Sequence, residues 1–166
     1  MALMLAGCAS DDQFGPQHEP SGLATPLPDD DFMTYISRSE ETIGTANKAA
    51  GRLLDPTVIE DRAPFELEPD QRCRRNDRGR YERAVLMIHG LNQTPYAMRD
   101  LGRRFAAECY LVRAVLLPGH GTVPGDLLEI QYPSWRDAVR RAAASFDDRA
   151  ENLYLVGFGA GATLAL

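Results

Sequence analysis

The sequence predicts an α/β fold, a parallel sheet flanked by helices, and three observations carry that expectation. Residues 84–88 are a continuous apolar run of the kind that suits a central parallel strand buried on both faces, and 152–156 read as a further strand. Between and after them, apolar residues recur at helical spacing. The resulting strand–helix–strand–helix–strand–helix order is the order of crossover units that build parallel sheets.

Taken from the start, Met1-Ala-Leu-Met-Leu-Ala-Gly-Cys8 is apolar and too short to span a bilayer. Its ending, Leu5-Ala6-Gly7-Cys8, resembles a bacterial lipobox, in which cleavage precedes a cysteine whose thiol is lipidated; that implies a start upstream of Met1. Residues 1–31 then read as a lipoprotein-like remnant and tether, and residues 32–82 as a helix and connector. Within the helix, expected over 29–50, Asp29, Asp30 and Asp31 crowd the N-terminal end, where negative charge is favoured. Phe32, Tyr35, Ile36, Ser39, Ile43 and Ala46 share one face. The connector over 51–82 is rich in Pro and Arg, with a short edge strand at Pro64-Phe65-Glu66-Leu67.

From Arg83 the pattern becomes regular. Ala84–Ile88 forms a strand that ends in His89-Gly90. Thr94 caps the next helix with Pro95 at its first position, and Met98, Leu101, Phe105 and Cys109 (or Ala106) mark the buried side. Tyr110–Leu117 is the second strand, stopped by Pro118-Gly119. A loop leads to a helix capped by Ser134 with Asp137 three residues on; its inner face is Trp135, Val139, Ala142, Ala143 and Phe146. Asn152–Val156 is the third strand, followed by a Gly-rich turn and the start of an apolar helix, Ala162–Leu166. Residues 83–166 therefore read as the N-terminal half of a larger domain, truncated after this strand.

The net charge of −6 is unevenly spread. Residues 1–70 carry 4 basic and 14 acidic side chains, residues 71–166 carry 14 and 10. The basic cluster Arg72, Arg74, Arg75, Arg78, Arg80 and Arg83 is interrupted by Asp77 and Glu82, so nucleic acid is not an expected partner. The cysteines at 8, 73 and 109 fit no zinc spacing, and no metal is expected. Cys109 reads as a small core residue. Cys73 reads as free or as paired outside the chain.

Chemistry concentrates in three turns. Leu155-Val156-Gly157-Phe158-Gly159-Ala160-Gly161 matches a strand–turn–helix nucleophile elbow, Gly-x-Ser-x-Gly, except that Gly159 stands where the serine belongs. Gly157 and Gly161 permit the tight turn, but glycine has no oxygen to attack a carbonyl. Ile88-His89-Gly90-Leu91 would supply one backbone donor of an oxyanion hole, the Leu91 amide, and Ala160 the other. His89 at a strand end and His120 in Leu117-Pro118-Gly119-His120-Gly121-Thr122 read as structural, and His18 as part of the tether. No residue set calls for a cofactor.

Together these pieces, with Pro95-Tyr96-Ala97-Met98-Arg99-Asp100-Leu101, resemble the first half of the bacterial α/β-hydrolases related to monoacylglycerol lipases and carboxylesterases, the serine aminopeptidase-like (S33-like) group. The resemblance implies the α/β-hydrolase fold, a Ser-Asp-His triad and carboxylic esters, including acylglycerols, as substrates. Glycine at 159 and the missing Asp and His segments imply an inactive chain, and the lipobox-like ending implies a place in the bacterial cell envelope, bound to the membrane through Cys8. Two alternatives stay open: a non-catalytic module that binds an acyl ligand or a protein, and a dinucleotide-binding protein, because Gly157-Phe158-Gly159-Ala160-Gly161-Ala162 also satisfies G-x-G-x-x-A.

Overall fold

The computed structural model describes residues 15–28 and 31–166. Cys8, Asp29 and Asp30 lie outside the described residues. Strand β1 (Phe65–Leu67), β2 (Tyr81–Ile88), β3 (Tyr110–Val115) and β4 (Ala150–Gly157) form one sheet in the order β1-β3-β2-β4. The apolar run of β2 places it between β3 and β4, parallel to both, with Ala84 through Ile88 fully buried. The expected edge strand is present, but it pairs antiparallel with β3, Glu66 opposite Arg113. The link from β1 to β2 contains no helix to carry a crossover, and a reversed strand is what such a link allows.

The two crossovers set the layers. Going from β2 to β3 the chain moves one way across the sheet, and from β3 to β4 it moves back past β2. Connections of one hand that travel in opposite directions put their helices on opposite faces. Accordingly Phe105 of α3 (Arg99–Ala107), with Met98 just before it, packs with Val85, Met87, Val112 and Ala114. On the other face, α1 (Phe32–Ala49) and α4 (Tyr132–Ala144) cover Ala84, Leu86, Ile88, Leu111 and Val115. Leu164 of α5 (Ala160–Leu164) joins that second layer.

Helix α1 has the expected face: Phe32, Tyr35, Ser39, Ile43 and Ala46 are buried, and the Asp31 side chain accepts from the Met33 amide at 3.1 Å. Tyr35 fastens it to the sheet, its hydroxyl donating to Leu116 O at 3.0 Å and accepting from Leu116 N at 3.1 Å. A helix not foreseen, α2 (Pro56–Arg62), interrupts the connector. Asp55 caps it at Thr57 N, 2.9 Å, with Pro56 at the first position, a start signal that seven residues of weak periodicity concealed.

Three local expectations are corrected. Pro95–Met98 forms a 3-10 turn before α3, and its tighter winding shifts the helical phase. Leu101 is therefore exposed, and Gly102 faces Phe65, Leu67 and Val112 instead. Thr94 precedes that turn but makes no side-chain cap. Helix α4 begins at Tyr132, so Ser134 lies inside it, and Asp137 pairs with Arg140 at 2.6 Å and Arg141 at 2.7 Å rather than closing a capping box.

The third correction concerns the cysteines. Cys73 and Cys109 form a disulfide, spanning 36 positions. Cys109 follows α3 with φ +67°, the left-handed position where helices end, and its neighbours lead it out of the core toward the 68–80 loop. Reduction should cost roughly 2–4 kcal/mol by freeing the unfolded chain. Thermal melts with and without dithiothreitol should differ by about 5–15 °C; identical melts would show the loop needs no staple.

Inside the second layer sits a charged group. Arg113, 2% exposed, donates to Glu66 at 2.6 Å and to the Ser145 hydroxyl at 2.8 Å, with its guanidinium over the Phe32 and Phe146 rings at 4.6 and 4.8 Å. Burial pulls its pKa down, and the Glu66 carboxylate works against that. The pair ties β1, β3 and the end of α4 together, a buried ion pair made tolerable by its extra hydrogen bonds.

The segment over 15–28 is docked rather than free along its length. Ser21 binds Asp126 through its amide at 2.6 Å and its hydroxyl at 3.0 Å. Glu19 backbone lies where a Cβ on Gly125 would be, 2.2 Å away.

Candidate active-site crevice

The loops after β2 and β4 leave neighbouring strands toward opposite faces, α3 on one side and α5 on the other. Open α/β sheets form their ligand crevice at such a point, beyond the carboxyl ends of the strands. Both loops carry sequence singled out above, and the sheet register places them side by side: Ile88 is paired with Gly157.

The turn after β4 is as tight as an elbow requires. Phe158 N donates back to Ile88 O at 3.0 Å and Gly161 N to Phe158 O at 2.9 Å. A Cβ on Gly157 would stand 2.2 Å from Gly161 O, and one on Gly161 would stand 2.2 Å from Ile88 O and 2.5 Å from His89 O. Those two positions have no room for a side chain. Gly159 differs: at φ +54°, ψ −122° it holds a conformation that side-chain-bearing residues reach only with strain. A Cβ there would meet nothing nearer than Gly90 Cα at 3.8 Å. The turn thus presents one open position between two closed ones, and the open one faces the loop after β2.

That loop is held from below. Leu117 N donates to His89 Nε2 at 3.1 Å, which leaves Nδ1 carrying the proton that His89 gives to Gly90 O at 2.8 Å. Burial, with His120 adding to it against the pull of the Gly90 hydrogen bond, pushes the His89 pKa down to about 3, so the ring is neutral. Gly90 O belongs to the peptide whose N–H is that of Leu91. In a trans peptide the two point opposite ways, so tying the oxygen inward turns the Leu91 N–H outward. Gln93 Oε1 accepts from Gly90 N at 3.0 Å, and His120 Nε2 lies 2.5 Å from Leu91 O. Among the described residues neither the Leu91 nor the Ala160 amide donates to a protein acceptor.

His120 also faces the carbonyls of Leu117 and Pro118, both at 3.2 Å, and packs against the His89 ring at 4.8 Å. Both imidazoles are thus committed to backbone. His18 lies in the docked N-terminal segment, its backbone against Gly125. Among the described residues no cluster of His, Cys, Asp and Glu could hold a metal, and no helix is long and apolar enough to cross a membrane.

Two features were not legible in the sequence. Gln93 has no motif signal, because its role depends on a loop reversing onto Gly90. Arg52 and Arg62, distant from both motifs, border a cavity of about 390 Å³ with Leu91, Asn92, His120 and Thr122. Only the packing of α1 and α2 against the post-β3 loop brings them there.

No family model matches the chain. It is 32% identical over 82 residues to a thermostable monoacylglycerol lipase of Bacillus sp. (strain H-257), a match covering 49% of this chain and 33% of that protein. Among solved structures it is similar to one from a study of LipS and LipT, two metagenome-derived lipolytic enzymes, with TM-score 0.51 and 26% identity over 61% of this chain and 37% of the other. An apo esterase 2 of Thermogutta terrifontis matches at TM-score 0.47 and 15% identity, over 62% and 39%. The chain spans about a third of the length of the curated relative it matches. The sheet order and the elbow agree with the first two of these likenesses: over about half its length the chain is similar to a monoacylglycerol lipase and to a lipolytic enzyme of known structure, and its fold is of the α/β-hydrolase type.

Proposed function

We propose that this crevice is a carboxylic-ester site of the lipase–esterase type which, in this chain, holds an acyl ester without cleaving it. One observation carries the reading: residue 159 is the open one of the elbow's three glycine positions, beside two amides with no protein acceptor, and has no side chain. Leu91 and Ala160 are assigned as oxyanion donors, Gly157 and Gly161 as the residues that let the turn close, and Gly159 as the vacant nucleophile position. A carbonyl oxygen can be received there; an acyl-enzyme cannot form through residue 159.

A chimera tests this. Residues 83–166 replace the matching segment of the Bacillus lipase, with and without Gly159→Ser. The serine form should show a burst with a p-nitrophenyl ester, and the glycine form a rate on the order of 10⁵–10⁶ lower. A burst from the glycine form overturns the non-catalytic half of the reading. A folded serine form that reacts no faster than the glycine form overturns the esterase half and favours a binding module.

We also propose that the protein resides in the cell envelope, anchored by lipid at Cys8. The Cys73–Cys109 disulfide supports an oxidising compartment. Metabolic labelling with an alkynyl fatty acid in a bacterial host, using the chain behind its upstream coding sequence, should tag the protein and fail with Cys8→Ser. Equal labelling of both forms rules the anchor out.

A further inference from the structure

The cavity beside the Leu91 loop is lined by two arginines and no carboxylate. Arg62, partly buried, gives one hydrogen bond, Nη1 to Gly121 O at 3.2 Å. The Arg52 backbone amide donates to Asn47 O at 2.8 Å, but its guanidinium has no hydrogen-bond or ion-pair partner among the described residues. Two carboxylates of adjoining segments are engaged elsewhere: Asp61 with Arg99 at 2.7 Å and Asp126 with Ser21. Burial, and then the charge of Arg52, lower the pKa of Arg62, which places the two cations within each other's field.

Two like charges bordering one open cavity repel each other, and the partial burial of Arg62 limits how far solvent screens its charge. An anion between them removes the repulsion and uses guanidinium donors that no protein group takes. Leu91 and Asn92 border the same space, so an anionic group held by the arginines lies within a small ligand's length of Leu91, one of the two residues proposed as oxyanion donors. A plain acylglycerol offers this wall acceptors but no charge to offset its two cations.

We propose that Arg52 and Arg62 form an anion subsite, and that the ester held in the crevice carries a carboxylate or phosphate group close to its ester carbonyl. The anion subsite stands on the two arginines and their cavity. The statement about the ester rests on the ester-site reading above.

The single tryptophan provides the readout. Trp135 Nε1 donates to Pro118 O at 2.9 Å and the ring lies 5.8 Å from His120, which borders the cavity. Its indole N–H resonance is followed in the 166-residue chain, at low ionic strength, during titration with monomethyl succinate, dimethyl succinate and inorganic phosphate. Monomethyl succinate should bind at least about tenfold more tightly than the neutral diester, and Arg52→Gln should remove about tenfold of its affinity, the scale of one charge-assisted hydrogen bond. The diester should be indifferent to that substitution. Arg52 is exposed, so an unchanged melting temperature for Arg52→Gln controls for folding.

Equal affinity for the two succinates, or an Arg52→Gln chain that binds the monoester as before, overturns the subsite. Phosphate binding that depends on Arg52 while the monoester fails to bind keeps the anion site and overturns the ester assignment. Failure of the serine chimera to react would sink the esterase reading without touching these comparisons, so the two ideas fail separately.

Discussion

Gly161→Ala should abolish the native state of this chain, whereas Gly159→Ser should leave it folded. A Cβ at 161 falls 2.2 Å from Ile88 O and 2.5 Å from His89 O, both backbone atoms at the end of the central strand. Neither can move alone. Ile88 O accepts from Phe158 N, and His89 is fixed by its hydrogen bonds at both ring nitrogens. Relief requires sliding α5 off β2, which opens the apolar contacts of Leu164. A loss of several kcal/mol follows, a large part of the whole stability of a domain this size. At 159 the space is open, and the cost is the strained backbone alone, about 1–3 kcal/mol. Urea unfolding followed by circular dichroism checks both. A cooperative Gly161→Ala protein with a near-parental midpoint would mean the elbow is looser than described.

The same contrast shows what the sequence could and could not convey. Flanking glycines in a strand–turn–helix pattern were readable because the steric demand falls on backbone, and glycine alone meets it. The strands were readable for a related reason: β2 is buried on both faces, so its apolar run has no gaps. Helix α3 was misphased because a 3-10 turn changes the winding without changing composition. The disulfide escaped because pairing depends on the distance between the end of α3 and a loop 36 positions earlier. The paired arginines escaped for the same reason, being assembled by tertiary packing from segments that look like surface helix and connector. Local rules were legible; juxtapositions were not.

Acid should weaken the fold in a window set by His89. Its unfolded pKa is about 6.5 and its native pKa is pushed down to about 3 by burial, with His120 beside it. Between those values the unfolded chain binds a proton that the native ring refuses, so stability falls as pH drops from about 6.5 and the loss is complete near 3. The full difference is roughly 4–5 kcal/mol. Above pH 6.5 this group contributes no slope. Asp31, Asp55 and Asp137, whose native pKa values are lowered, lose their contribution only below the ordinary carboxylate range; Glu40, raised by burial and then by the Glu60 charge, adds a slope of the opposite sign that parent and variant share, so over pH 4.5–6.5 the difference between them isolates the histidine. Unfolding free energies measured across that interval should slope downward toward acid in the parent and lose that downward slope in His89→Asn, which retains a donor for Gly90 O and does not titrate. A parent curve parallel to the variant's would show that the imidazole is protonated in the native state. Protonation also has a local consequence. Once Nε2 carries a proton it can no longer accept from Leu117 N, and the ring must turn or leave. Gly90 O then loses the donor that keeps it inward, and the Leu91 N–H loses its direction. Ligand affinity at the crevice should therefore fall before the fold does, because reorienting one peptide costs less than unfolding the sheet beneath it.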